Sequence, residues 1–272
     1  MDTLYDGILY KRNNKRFDQI KAIAAGFSDL YIGRNIIQDD IFTVIENYAN
    51  IKEKPLEWLR FPIEDTELCA CTFIRGGRIF VMLNSSLPMA KQIFAAAHEL
   101  YHIRCYLEEN DPELATSGSI LESKTIDTGT SEEEEMEANA FAGLILVPVD
   151  DLEQQIRIYQ IDRECITTDS ILTLMEIFAV PYKAMVLRLL EECIITGEKA
   201  AELISIPVDE IKERMRITGK AKRWDMKTAG YEKLGSLLEN LTYNTDIEAL
   251  PQSRLDSDWA KLRRVMKKYG IE

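Results

Sequence analysis

The sequence predicts an α+β chain that is mostly helical, with a small antiparallel sheet and a helical C-terminal extension. Three observations predict it. Apolar residues recur at helical spacing through most of the 272 residues. One stretch, Leu68 to Leu83, instead holds two runs rich in apolar and β-branched residues around a Gly-Gly pair. Beyond Gly197 the apolar striping gives way to a basic character.

Taken in order, Phe17, Ile20, Ile23, Ala24 and Phe27 repeat at helical spacing, as do Ile41, Val44, Ile45 and Tyr48, before Pro55 breaks the pattern. Leu68 to Ile74 and Arg78 to Leu83 read as paired strands. Gly76-Gly77 between them accepts the positive φ that a tight hairpin needs. Ser86 as N-cap and Pro88 in the first turn then open a helix of about 87–106. Residues 107–131 show no period and hold Pro112, Gly118 and Gly129, which reads as a long loop. Ser131 with Glu134 forms a capping-box signature for a helix of about 132–147, stopped at Pro148. Its first-turn glutamates suit the positive end of the helix dipole. Within a helical part of about 150–200, helices over 168–179 and 182–195 flank Val180-Pro181. A last helix is expected over 256–269, in an extension of 205–272.

Composition narrows the class. Lys and Arg number 33 against 46 Asp and Glu, a formal charge of −13, which disfavours broad nucleic-acid binding because counterion release needs a positive face. No run of about 18 apolar residues could span a bilayer. The opening MDTLYDGILYKRNNKRF lacks the apolar core of a secretion signal. Five scattered cysteines, Cys69, Cys71, Cys105, Cys165 and Cys193, suit reduced thiols. A cytoplasmic protein with no membrane association is expected.

The chain holds two histidines, and both lie in His98-Glu99-Leu100-Tyr101-His102. Positions four apart share a helix face, so the imidazoles converge. Zinc accepts two such nitrogens at about 2.0–2.1 Å. Glu99 then stands beside the metal, placed to move protons for hydrolysis. A zinc hydrolase takes three protein ligands and keeps one position open. With no third histidine, the last ligand is a carboxylate or a thiolate. Cys105 follows on the same helix, where three ligands cannot readily surround a tetrahedral ion. The acidic run Glu132 to Glu137 is the better source. Glu135 lies with the apolar stripe of Ala138, Phe141, Ala142 and Ile145; Glu134 lies near it, and Glu137 is the nearest rival.

HELYH followed by EMEANAFAGLILVP resembles the ImmA/IrrE family of metallopeptidases, over about residues 15–195. The resemblance implies a zincin-like metallopeptidase domain over 1–200. It implies a Zn2+ cofactor held by His98, His102 and Glu135, the catalytic Glu99, and Asn139 orienting a histidine. It also implies a site-specific endopeptidase whose protein substrate is a helix-turn-helix repressor or an antitoxin-like protein. An extended substrate would add to the strand Ile79 to Asn84 if that strand's edge is open. The alternative is a metal-containing regulatory or DNA-binding protein, or a toxin–antitoxin component, using the same fold. Direct nucleic-acid binding is disfavoured. The helix pair over 168–195 carries Asp169, Glu176, Glu191 and Glu192 against Lys183 and Arg188, the wrong sign for a recognition helix. The extension is locally basic, with eight basic against three acidic groups over 212–233. Three roles suit it: a lid over the acidic 107–137 stretch, a recruitment surface, or a solvated appendage.

Overall fold

The computed structural model describes residues 7–33, 36–110, 112–128, 130, 132–226 and 233–269. Helices α1 (Leu9–Arg12), α2 (Asn14–Tyr31) and α3 (Ile41–Ile51) come first, followed by strands β1 (Leu56–Phe61), β2 (Leu68–Arg75) and β3 (Arg78–Asn84). Helix α4 (Met89–Arg104) leads through a π-turn at Cys105–Glu109 to α5 (Glu113–Thr116), β4 (Ser119–Glu122) and α6 (Ser123–Thr128). Helices α7 (Glu133–Leu146), α8 (Val149–Ile158), α9 (Thr168–Phe178), α10 (Tyr182–Glu191) and α11 (Gly197–Ile204) complete the body. Then come α12 (Val208–Thr218), α13 (Lys222–Asp225), β5 (Lys233–Leu234), α14 (Leu237–Asp246) and α15 (Gln252–Tyr269).

The sheet order is β4-β2-β3-β1-β5. Gly76 and Gly77 turn the β2–β3 hairpin with φ of 59° and 75°, as the Gly-Gly pair predicts. The sheet is mixed rather than purely antiparallel, because β1 pairs parallel to β3, Leu56 opposite Ile79. The hairpin returns β3 alongside β1 in the same direction, a non-local pairing that no local pattern encodes. β1 itself and β4, which lies inside the expected loop, are too short to show a period.

Apolar packing fixes α4 against the sheet on one side and α7 on the other. Every residue of α4 except Lys91 is buried. The helix starts at Met89 with Pro88 as N-cap; Ser86 instead donates to Ile63 O and Asn84 Oδ1. Ser131, the expected cap of α7, lies outside the described residues. Phe27, Tyr101 and Phe141 join α2, α4 and α7 through ring contacts with centroids 5.6–5.8 Å apart. Two glycines allow close approaches. A Cβ on Gly118 would come 2.9 Å from Thr72 O, and one on Gly143 would come 2.9 Å from Arg188 Cδ.

The main core does not stop at residue 205. Ile211, Met215, Ala221 and Trp224 belong to it, and Trp224 Nε1 donates to Glu176 O. Arg214 pairs with Asp169, and Lys220 donates to Thr173, so two of the basic side chains of this stretch dock on α9, while Arg216 pairs within its own helix with Glu213. Helices α14 and α15 instead share a small separate cluster, Leu241, Leu255 and Leu262. Helices α9 and α10 bend by 99°, as a helix-turn-helix pair would, yet neither presents an exposed residue. No single described helix is long and apolar enough to cross a membrane.

Candidate metal centre

Helical spacing stacks His98 and His102 on one face of α4, and α7 crosses that face. One ligand atom from each of His98, His102 and Glu135 lies within 4.8 Å of the others, a group that could hold a metal ion. The two Nε2 atoms are 3.2 Å apart. Glu135 brings Oε2 to 3.2 Å from His98 Nε2 and Oε1 to 3.4 Å from His102 Nε2.

The outer ring atoms fix the tautomers. His98 Nδ1 lies 3.0 Å from Asn139 Oδ1, whose amide donates to Thr125 O. His102 Nδ1 lies 2.9 Å from Glu134 Oε1. Both partners are acceptors, so each Nδ1 carries the proton and each neutral ring turns a lone pair inward from Nε2. Two lone pairs and a carboxylate then face one point. Such an all-acceptor set is satisfied only by positive charge, so the donors fit a divalent cation. The same demand shows in titration. Burial works against charge on His102, but Glu134, Glu135 and Glu99 outweigh it and push its pKa up to about 10. Burial raises Glu135, yet its two histidine contacts hold it well below the usual carboxylate range.

Glu99, next to His98 on α4, is fully buried and lies outside the three-ligand group. Its Oε2 accepts from Ser119 Oγ, which in turn accepts from the backbone N–H of Thr72 at 3.2 Å. Its Oε1 is buried and has no hydrogen-bond partner among the described residues. An unpaired carboxylate oxygen in the interior is costly unless a ligand or water meets it. Ser119 was not singled out from the sequence, because it sits in a four-residue strand inside the expected loop.

Glu137, the rival ligand, faces away from the centre. Arg16 of α2 holds it through two hydrogen bonds of 2.6 Å, and Tyr101 Oη donates to it. Cys105 is buried and lines the adjoining cavity, but lies outside the three-ligand group. All five cysteines are free, including Cys69 and Cys71 on β2.

A cavity of about 510 Å³ opens beside His102 and Glu135, walled by Ser117 to Ile120, Glu122 and Glu132. The strand along it is β4, the terminal strand of the sheet. The expectation that Ile79 to Asn84 offers an edge is corrected: β3 lies between β1 and β2 and its edges are both paired.

The family model described as the IrrE N-terminal-like domain, a peptidase family, matches residues 52–190, just over half of the chain. No curated protein matches the chain.

Proposed function

This chain belongs to the peptidase family of the IrrE N-terminal-like domain, and from that premise we propose a zinc-dependent, site-specific endopeptidase. The observation that carries the proposal is the convergence of three acceptors, His98 Nε2, His102 Nε2 and Glu135, beside a buried carboxylate with one unpaired oxygen. Two imidazoles and one carboxylate are a catalytic zinc set. Bound there, the ion supplies Lewis acidity to water and to the scissile carbonyl.

The chain's own residues do the rest. Ser119 pins Glu99 Oε2, so Oε1 is the atom that takes a proton from the attacking water and returns it to the leaving amine. Asn139 and Glu134 hold the histidine tautomers. The outer edge of β4 offers main-chain hydrogen bonds to an extended substrate beside the site. The resemblance of HELYH and EMEANAFAGLILVP to the ImmA/IrrE peptidases supports cleavage of one regulatory protein, a repressor or antitoxin-like partner, rather than general digestion. The DNA-binding alternative is disfavoured because α9 and α10 lack the exposed face that groove reading requires.

The test uses zinc-loaded full-length protein incubated with a panel of helix-turn-helix repressor and antitoxin-like proteins, starting with any encoded beside its gene. Cleavage at one bond, abolished by chelation and restored by zinc, is expected. A panel left wholly intact after long incubation with zinc-loaded protein would overturn the proposal.

A further inference from the structure

Five carboxylates line the catalytic cavity, Glu113, Glu122, Glu132, Glu134 and Glu135, against one cation, Lys124. Glu134 and Glu135 are engaged by the histidines. Lys124 pairs with Glu122 at 2.5 Å, but both side chains are solvated, so that pair is weak and readily exchanged. Even with a divalent cation bound, the wall keeps a net negative charge. Ser119 of this wall also donates to the buried carboxylate of Glu99, which ties the cavity to the candidate catalytic group.

The strand beside the cavity adds a register. Along β4, Ser119 and Leu121 are buried, while Ile120 and Glu122 share the opposite face, and both line the cavity. Ile120 is 64% exposed, a large apolar side chain without cover. An extended peptide added to the free edge of β4 sets its own alternate side chains beside these two. Accepting the peptidase reading, we infer that the substrate is a basic segment, in which an apolar residue lies beside Ile120 and a Lys or Arg two positions away lies beside Glu122. Glu132, on the cavity wall, adds to the attraction for the same cation. A substrate carrying acid at that position meets repulsion, which supplies selectivity as well as affinity.

The test separates binding from hydrolysis. Zinc-loaded full-length Glu99→Gln protein is titrated with fluorescent Thr-rich decapeptides that carry Leu and, two residues on, Lys, Thr or Glu. The Lys peptide should bind about two- to five-fold tighter than the Thr peptide, and the Glu peptide weakest. Glu122→Gln with Glu132→Gln should erase the Lys preference and leave Thr-peptide affinity unchanged. Asp150→Asn with Asp151→Asn, an equal charge change on α8, should keep it. Equal binding of Lys and Thr peptides, or loss of the preference in the α8 variant, would overturn the inference. If the preference holds while wild-type protein cuts none of the peptides and no partner, the peptidase reading fails and the basic-segment site stands.

Discussion

The seam between α4 and α7 and the helical pair α14–α15 are built on opposite terms. At the seam, nearly every residue is buried, and the polar groups in and around the candidate metal site are held: Asn139 and Glu134 on the histidines, Arg16 and Tyr101 on Glu137, Ser119 on Glu99. The α14–α15 pair buries three leucines and leaves Leu237, Tyr243 and Ile247 more than half exposed. A site that must hold three donors in place needs this many constraints, because each loosened contact costs precision before it costs stability. An element that only packs needs a few apolar side chains.

His98→Ala strikes the seam at its centre and should abolish zinc binding, read as metal content after gel filtration; stoichiometric zinc in that variant would dissolve the contrast. Ending the chain after Ile204 comes next. It strips Ile211, Met215 and Trp224 from the main core, at about 1.5–3 kcal/mol for each large side chain, so roughly 5–9 kcal/mol in chemical denaturation. Glu99→Gln should keep zinc and lose about 10²–10⁴ in turnover. Wild-type rates in that variant would reassign the proton carrier.

Proton linkage gives a smaller, graded effect. In metal-free protein the folded-state pKa of His102 is raised to about 10, so its charge stabilises the fold fully below the unfolded value of about 6.5 and is lost as pH rises through about 10. A metal must displace that proton. Zinc affinity should therefore rise about tenfold per pH unit from 7 to 9, with about one proton released per ion in calorimetry across two buffers. A flat profile would show that no proton is displaced. Ending the chain after Met226 should do least: the α14–α15 cluster is separate, so zinc content should be unchanged and melting shifted by only a few degrees. A collapse of zinc binding there would tie the two regions together.

Much of the site was legible. Two histidines four apart on a helix must share a face whatever the fold, so the convergence of His98 and His102 follows from helical geometry. The apolar stripe of α7 placed Glu135 on the buried side, and Gly76-Gly77 placed the hairpin. What the stripe left open was the helix phase to within one residue, enough to keep Glu134 and Glu137 as rivals. Two long-range contacts separate them: Arg16, more than a hundred residues away, draws Glu137 to the other side, and His102 Nδ1 engages Glu134.

The sequence by itself thus determined the elements whose signals are local and repeated: the α4 motif, the acidic helix and its stripe, and the β2–β3 hairpin. Tertiary structure alone decided strand order, the free edge and the fate of the basic segment. β1 runs parallel to β3, β3 is interior, and β4 takes the edge beside the site because pairing joins segments far apart in the chain. Trp224 enters the main core because α9 offers a carbonyl and an apolar wall. Periodicity records which face of a segment seeks burial; it carries no record of which distant surface receives it.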